Sequence, residues 1–406
     1  MKNFELLAPA GNFDKLKTAI YFGADAVYVG GTAFSLRAFS ENFNDEEMKA
    51  ATEYVHAAGK KIYVAVNILA RNRDFERVGA YLKYLESIHV DAVILSDPGV
   101  VALCRNTCKN LEIHLSTQAC TLNKYSAKFW VEQGVKRIVL ARELSLAEVK
   151  EISDYCGGET EIFIHGAMCI SYSGRCLLSN YLTGRDGNRG SCVQCCRWEY
   201  EIREKNKGGE FLPVMEDERG TYIFNSKDLN LIDYLDEVHN SGAVSLKIEG
   251  RMKSEYYLAT VVNAYRRAID AYEKFGEDYK ENRAYDEEVN KTAHRAFTTA
   301  YTLGNNDKTV NYNDSQSRGD RTFTAFVLGH GKDENGNYVL IEMRNRFAVG
   351  DVLEVLSPSD NFNKTITVNK MVDDEKQQEI TDARLVQQKI RIYCDLPLNY
   401  GDILRK

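Results

Sequence analysis

Eight short apolar segments, each followed by a stretch with helical periodicity, are the feature that most restricts the fold of this chain. Near-continuous apolar runs are typical of strands buried on both faces, and the intervening spacing is that of amphipathic helices. The segments are FELLAPA (4–10), DAVYVG (25–30), KIYVAVN (61–67), DAVILSD (91–97), LEIHLST (111–117), RIVLAR (137–142), EIFIHG (161–166) and AVSLKIEG (243–250). Eight such units predict an α/β fold, a TIM-like (β/α)8 barrel whose last helix spans about 254–275. A doubly wound open sheet is the alternative.

Two parts of the chain depart from the barrel pattern. About 60 residues separate His165 from the next helix candidate, where a loop in a barrel usually has 2–6. The polar stretch 304–320 has the composition of a linker, and the alternating runs after it predict a small C-terminal all-β barrel. We therefore predict a barrel domain over 1–303 with a long cysteine-rich insertion at 166–227 after strand 7, a linker at 304–320 and a β-barrel domain at 321–406.

Composition and charge restrict the cellular setting and the partners. The net charge of −7 argues against non-specific binding to nucleic acid, although a local basic patch could still hold an RNA substrate. The N-terminal residues lack the pattern of a signal peptide, and no apolar run reaches the roughly 20 residues of a membrane span. We expect a cytoplasmic protein without a membrane partner. Because thiols stay reduced there, its clustered cysteines are expected to bind metal or do chemistry.

Polar residues follow the predicted strands at their carboxyl ends, where the active sites of such barrels lie. Each one alone could be a loop residue that begins a turn, but six strands share the feature, which predicts a convergent polar site. The residues are Asn67, Asp97, Thr117, Gln118, Arg142, Glu143, His165, Glu249 and Arg251.

Side-chain chemistry predicts roles for several of these residues and for Glu161. Arg142 and Arg251 are candidates for binding substrate carboxylates, because guanidinium groups pair with them bidentately. Further substrate contacts are predicted for Asn67 and Gln118. Proton transfer, or support of the residues that perform it, is predicted for His165, Glu249 and Glu161. Since Glu161 begins the seventh predicted strand, a structural role at the other end of the barrel is its alternative.

The predicted insertion contains Cys169, Cys176, Cys192, Cys195 and Cys196, half of the ten cysteines in the chain. Four thiolates suit an iron–sulfur cluster or a structural zinc ion. The first spacing is too wide for a zinc knuckle, which favours iron–sulfur, and adjacent cysteines normally supply at most one ligand to one metal. Zinc and metal-free buried thiols remain alternatives.

The same insertion is rich in arginine, which indicates an anionic substrate or an RNA backbone as its contact. Arg185 and Arg189 are the residues that we predict to bind substrate, and a solvated loop is the alternative. His165 lies four residues before Cys169, so a Cys–His nucleophile is a competing interpretation, although sequence separation does not establish such a pair.

The segments EIFIHGAMC (161–169) and GRCLLS (174–179) match the signature of the collagenase-like "unclassified" peptidase family, which the chain therefore resembles. The opening LAPAGNFDKLKTAIYFGADAVYVG and the later IEGRMKS are similar to that family too. The run SGRCLLSNYLTGRDGNRGSCVQCCRW and the C-terminal region most resemble the branch that hydroxylates the wobble uridine of tRNA to 5-hydroxyuridine. That branch uses prephenate as hydroxyl source, so tRNA and prephenate are the partners that the resemblance implies.

The resemblance also implies a four-iron, four-sulfur cluster. Its ligands would be Cys169, Cys176, Cys192 and Cys196, since the branch more often has proline where Cys195 stands. A collagenase-like peptidase with a cysteine or unknown nucleophile is the alternative function, and it would require Cys169 to be free of metal. A second alternative is a non-catalytic subunit that pairs with a paralogue and carries a structural cluster.

Overall fold

The computed structural model describes residues 4–32, 34–35, 42–169, 171–172, 174–189, 192–198, 216–217, 220–221, 226–304 and 319–406. Much of the predicted insertion, and residues 305–318 of the predicted linker, lie outside these ranges. The helices of the described residues are α1 (Phe13–Tyr21), α2 (Asp45–Ala57), α3 (Phe75–Ser87), α4 (Pro98–Thr107), α5 (Lys124–Glu132), α6 (Leu146–Cys156), α7 (Leu178–Thr183), α8 (Leu235–Asn240), α9 (Glu255–Phe275) and α10 (Ala284–Asn290).

The strands fall into an N-terminal group, which contains the barrel, and a C-terminal group. The first group is β1 (Glu5–Pro9), β2 (Ala26–Gly30), β3 (Lys61–Val66), β4 (Ala92–Leu95), β5 (Glu112–Leu115), β6 (Arg137–Val139), β7 (Glu159–Ala167), β8 (Glu216–Asp217), β9 (Gly220–Thr221), β10 (Asp228–Asn230), β11 (Ser245–Ile248) and β12 (Phe297–Thr298). The second group is β13 (Phe323–Asp333), β14 (Gly336–Met343), β15 (Phe347–Ala348), β16 (Val352–Leu356), β17 (Thr365–Thr367), β18 (Met371–Asp373), β19 (Gln378–Ile380), β20 (Asp382–Ala383), β21 (Lys389–Tyr393) and β22 (Ile403–Arg405).

The predicted (β/α)8 barrel is confirmed. Strands β1 to β7 pair in parallel in chain order, and β11 pairs with both β1 and β7, which closes the cylinder. Helices α1 to α6, α8 and α9 follow these strands, and side-chain caps begin several of them. Asp97 is one of these caps, because its carboxylate accepts hydrogen bonds from the backbone of Gly99 and Val100 at the start of α4. The structure therefore gives this strand-end residue a helix-capping role.

The barrel interior is apolar on one side and charged on the other. Strands β1 to β4 contribute a buried cluster of Leu7, Ala26, Tyr28, Tyr63, Ala92 and Ile94. The opposite strands contribute His114, Arg137, Glu161 and Lys247, each at most 5 % exposed. Charges this deeply buried are tolerated only when they are paired, and Arg137 and Lys247 both pair with Glu161. Burial lowers the pKa of His114, which favours its neutral form. The barrel therefore carries an unusual polar interior beneath its carboxyl end.

The C-terminal region is all-β, as predicted. Eight of its strands form one antiparallel sheet in the order β17-β16-β22-β13-β14-β21-β18-β19, and β15 pairs with β20. Its inward residues form a separate buried cluster that includes Val327, Ile341 and Ile392. Leu356 and Ile403 instead belong to the core of the barrel, so the sheet packs directly against the barrel.

Candidate active site at the carboxyl end of the barrel

A cavity of about 490 Å³ lies at the carboxyl ends of the barrel strands. Seven of the eight strands, or the residues just after them, contribute to its wall. The strand-derived lining residues are Tyr28, Ala65, Asn67, Ile94, Ser116, Thr117, Gln118, Val139, Arg142, Phe163, Ala167, Lys247, Glu249, Gly250 and Arg251. Six of the nine predicted strand-end residues therefore meet in one place: Asn67, Thr117, Gln118, Arg142, Glu249 and Arg251.

All five cysteines of the insertion line the same cavity. None of them is in a disulfide, and their exposure ranges from the buried Cys195 to the exposed Cys169 and Cys192. Burial raises the pKa of the Cys195 thiol, and negative charge on Cys192 and Cys176 raises that pKa further. Cys195, which the family resemblance leaves out of the ligand set, thus lies close to two of the predicted ligands.

The cysteines at the cavity offer donors for a metal or cluster. Among the residues that the structure describes, no three His, Cys, Asp or Glu side chains are arranged to hold a metal ion. Four thiols around one cavity are nevertheless the donor set that an iron–sulfur cluster requires. The residues therefore fit a cluster by chemistry and location, and binding would require the thiols to draw together.

The insertion is tied to the barrel by specific polar contacts. Asn188 donates a hydrogen bond to the carbonyl of Cys176 (3.0 Å) and accepts one from the backbone of Leu69. Arg189 pairs with Asp74 at 3.0 Å. Arg189, predicted to bind substrate, therefore fastens the insertion to the segment after β3 and does not line the cavity. Arg185 is exposed and also lies outside the cavity lining.

Arg142 is the best-positioned cation of the predicted set. It donates to the carbonyl of Ala167 (2.7 Å) and to the carboxylate of Glu249 (3.3 Å), and its guanidinium carbon is 3.7 Å from the centre of the Phe163 ring. Its buried Nε has no hydrogen-bond partner in the described part of the chain. A fixed guanidinium with a spare donor is suited to an anionic ligand.

Two other residues predicted to contact substrate, Arg251 and Asn67, are held in place by hydrogen bonds to neighbouring side chains. Arg251 is 4 % exposed and donates to Ser35 at 2.8 Å and to Asn42 at 3.2 Å. Asn67 donates to the hydroxyl of Ser116 at 3.2 Å. Both side chains line the cavity in orientations fixed by these contacts.

Glu161 lies in the barrel interior and not on the cavity surface. It is fully buried, 2.8 Å from the ammonium of Lys247 and 3.4 Å from Arg137. Burial alone would raise the pKa of Glu161, but these two cations lower it to about 2. A carboxylate held ionised in this way cannot readily exchange protons near neutral pH, so the structure favours a positioning role for it.

His165 faces away from the cavity. The pairing of β7 with β11 shifts register so that Phe163 is opposite Lys247 and His165 is opposite Ile248, with Ile164 as the extra residue. Such an irregularity reverses the face to which the next side chain points. The imidazole consequently packs among Tyr257, Tyr265 and Phe297, and burial lowers its pKa to about 4. The predicted Cys–His pair with Cys169 is not supported, since Cys169 lines the cavity.

Sequence reasoning missed Lys247. It lies in the middle of an apolar strand, and its side chain reaches the cavity from the interior. The signal was present, because a lysine inside a run such as AVSLKIEG is seldom buried unless it is paired.

Residues 11–312 match peptidase family U32, and residues 320–405 match the C-terminal domain of the same family. The chain belongs to peptidase family U32. The resemblance stated from the sequence is thus confirmed, and this U32 chain is also similar to individual proteins with different names.

Three relatives illustrate that range. "tRNA hydroxylation protein P1" of Bacillus subtilis is 40% identical over 100% of this chain and 95% of its own length. "tRNA hydroxylation protein P2" of the same organism is 34% identical over 73% of this chain and 98% of its own. "Collagenase" of Porphyromonas gingivalis is 32% identical over 75% of this chain and 74% of its own. Separately, no helix within the described residues has the length and apolar character to cross a membrane.

Proposed function

We propose that this U32 chain is a tRNA-modifying enzyme that hydroxylates the wobble uridine to 5-hydroxyuridine, with prephenate as the hydroxyl source. The observation that carries the proposal is a single cavity that joins basic side chains at the barrel end to the thiols of the insertion. Support also comes from the Bacillus subtilis relative named for tRNA hydroxylation, whose similarity extends along this whole chain.

The proposed cofactor is a four-iron, four-sulfur cluster held by Cys169, Cys176, Cys192 and Cys196, with zinc as the alternative metal. When bound, a cluster supplies electron transfer or Lewis-acid chemistry directly beside the cavity. The protein contributes the four thiolates, and the contacts of Asn188 and Arg189 hold the backbone that carries them.

The barrel residues bind and orient the small substrate. Arg142 is proposed to bind one of its carboxylates, with Arg251 as a further cation of the cavity wall, and Asn67 and Gln118 to supply neutral polar contacts. Glu249 is the candidate for accepting a proton, because it is the carboxylate that lines the cavity wall next to Arg142.

The RNA is proposed to meet the insertion, where large apolar side chains are exposed. Tyr172, Tyr181 and Trp198 are between 46% and 87% exposed, and Tyr172 also lines the cavity. Exposed aromatic rings stack on unpaired bases, and arginines such as Arg185 neutralise phosphates. An anticodon-loop base could thereby be held at the cavity entrance although the chain as a whole is acidic.

Nucleoside analysis of tRNA from a deletion strain tests the function. We expect 5-hydroxyuridine and its derivatives to disappear and to return when the wild-type gene is supplied. Where a paralogue is present, as in Bacillus subtilis, the double deletion is required. Unchanged 5-hydroxyuridine would count against the proposal.

Metal analysis tests the cofactor separately. After anaerobic purification we expect iron and sulfide in wild-type protein and in Cys195→Ala. Cys169→Ala, Cys176→Ala, Cys192→Ala and Cys196→Ala should lose them. A stoichiometric amount of zinc in place of iron and sulfide would contradict the cluster and support zinc, the alternative metal.

Two other functions are distinguishable. The relative named Collagenase favours a peptidase, for which metal-free protein should cleave denatured collagen and Cys169→Ala should not. A non-catalytic partner subunit is the other candidate, because Bacillus subtilis has two related proteins named P1 and P2. In that case the purified chain would form a stable complex with a paralogue and show no activity alone.

A further inference from the structure

Lys247 presents an ammonium group at the floor of the cavity. It is 5 % exposed, projects inward from β11, and lines the cavity between Tyr28 and Phe163. Its Nζ is 4.3 Å from the centre of the Tyr28 ring and 5.6 Å from that of Phe163. Aromatic rings stabilise a desolvated cation without neutralising its charge.

The ammonium retains donor capacity toward the cavity. Its hydrogen-bond acceptor among the described residues is Glu161, at 2.8 Å. An ammonium has three N–H donors, so two are available to a ligand. Burial with donors unused carries a free-energy penalty, which an anion in the cavity would remove.

Glu161 fixes this cation from beneath. Its second oxygen accepts from Ser245 (2.9 Å) and lies 3.4 Å from Arg137, so its carboxylate cannot turn toward the cavity. The pairing holds the lysine nitrogen at the cavity floor.

Arg142 supplies a second cation against the same aromatic ring. Its guanidinium lies 3.7 Å from the centre of Phe163, the ring that Lys247 also approaches. Two fixed cations around one aromatic ring suit a small ligand that has a carboxylate at each end and an unsaturated or planar body between them.

We propose that Lys247 binds one carboxylate of a small dicarboxylate while Arg142 binds the other, and that Glu161 is a positioning residue that acts through Lys247. The inference rests on the proposed function, because prephenate belongs to this ligand class. Binding is ionic, and the Lys247 nitrogen forms no covalent bond with the ligand.

The test measures prephenate binding to the full-length protein by calorimetry. Lys247→Met alone would leave Glu161 buried without its nearest partner, so the main variant is K247M/E161Q, which removes both charges together. We expect prephenate affinity to fall about 10- to 100-fold, as for the loss of one charge-assisted hydrogen bond. Lys247→Arg should retain most of the affinity. Lys370→Met, which removes a lysine near β18 of the C-terminal sheet, is the control and should bind like wild type.

Wild-type affinity in a folded K247M/E161Q variant would overturn the inference. If that variant does not fold, wild-type protein is acetylated at trace level and its peptides are quantified. Prephenate should slow acetylation of Lys247 at least about fivefold but not that of Lys370; equal rates overturn the inference. A borohydride-stabilised adduct on Lys247 would also overturn it, because the nitrogen would then be a nucleophile.

The inference and the proposed function fail in different ways. Prephenate binding that is insensitive to K247M/E161Q removes the role of Lys247 and leaves the hydroxylation proposal intact. A second outcome is that 2-oxoglutarate or citrate binds through Lys247 but prephenate does not, and that deletion leaves 5-hydroxyuridine unchanged. The role of Lys247 in binding a carboxylate would then be retained, and the proposed function would be wrong.

Discussion

Arg405, near the end of the chain, pairs with both carboxylate oxygens of Glu288 at 2.6 and 2.8 Å, and both side chains are fully buried. Arg405 lies on β22 of the C-terminal sheet, whereas Glu288 lies on α10, which follows the barrel. Lys291 and Glu354 extend the pairing. Because these charges are buried, an orientation of the sheet that separated them would leave unpaired charges away from water, at a large cost in free energy. The pairing therefore fixes the sheet in one orientation on the barrel.

Breaking this pair should destabilise the protein strongly. Glu288→Gln leaves the Arg405 guanidinium without its main counter-charge, and we expect a loss of about 3–5 kcal/mol in the free energy of unfolding, measured in urea. The exposed Arg346–Asp382 pair provides the control, since Arg346→Met should cost under about 1 kcal/mol. Similar small losses for both variants would show that the buried pair is not an important constraint.

The buried histidine predicts a specific acid sensitivity. The pKa of His165 is about 4 in the folded chain and about 6.5 when unfolded, so the unfolded state binds the proton first. The stability from keeping His165 neutral is complete above pH 6.5 and is lost as the pH falls toward 4, by about 3 kcal/mol in total.

His165→Gln removes this titration. Urea unfolding at about pH 7.5 and about pH 4.5 gives the difference in unfolding free energy between wild type and variant at each pH. The difference at the higher pH contains the effects of the substitution other than titration, so it is the reference for the lower pH. We expect wild type to lose more stability than the variant on acidification. A difference that does not change with pH would contradict a neutral buried His165.

The fold was predictable from sequence because eight apolar runs repeat one period, and no single residue decides that pattern. The side on which the His165 side chain lies was not predictable. One extra residue, Ile164, reverses the side-chain alternation of β7, and no local sequence signal marks this irregularity. Lys247 was not predicted as a site residue because the apolar residues around it mark only a buried strand. Substrate binding was predicted for Arg189 from the arginine-rich composition of the insertion. Its partner Asp74 lies 115 residues away along the chain, so only the fold brings the two together.

Gly174 should be essential for placing the insertion. It has φ +73°, and a Cβ there would lie 2.5 Å from the carbonyl oxygen of Gln118. Gly184 has nearly the same φ, +69°, with no atom within 4 Å of such a Cβ. Both alanine variants incur the left-handed penalty of about 1–2 kcal/mol, so their difference isolates the clash.

We expect Gly174→Ala to move Cys176 away from the cavity. Its iron content after anaerobic reconstitution should fall at least about threefold below that of Gly184→Ala, and the iodoacetamide reactivity of Cys176 should change, with unfolding temperatures similar in both. Equal iron content in the two variants would show that the contact with Gln118 does not position the insertion.

The contact between Arg189 and Asp74 gives a test of positioning against substrate binding. If Arg189 acts only by fastening the insertion, Arg189→Met and Asp74→Asn should reduce tRNA hydroxylation alike, and the double variant should be no worse than either. The measurement is the 5-hydroxyuridine content of tRNA in a complemented deletion strain. A much larger effect of Arg189→Met than of Asp74→Asn would instead support the substrate contact predicted from the sequence.

Arg142 should behave differently, because it lines the cavity, its buried Nε has no hydrogen-bond partner among the described residues, and its guanidinium is held against Phe163. Arg142→Lys keeps the charge but loses the planar fork, so we expect 5-hydroxyuridine formation at limiting prephenate to fall about 10- to 100-fold while the unfolding temperature is nearly unchanged. Raising prephenate should restore part of the lost rate, since the defect lies in substrate affinity. Arg346→Met, in the C-terminal region just before β15, is the charge-removal control. If the rate of Arg142→Lys stays low even at saturating prephenate, Arg142 acts in a step after binding.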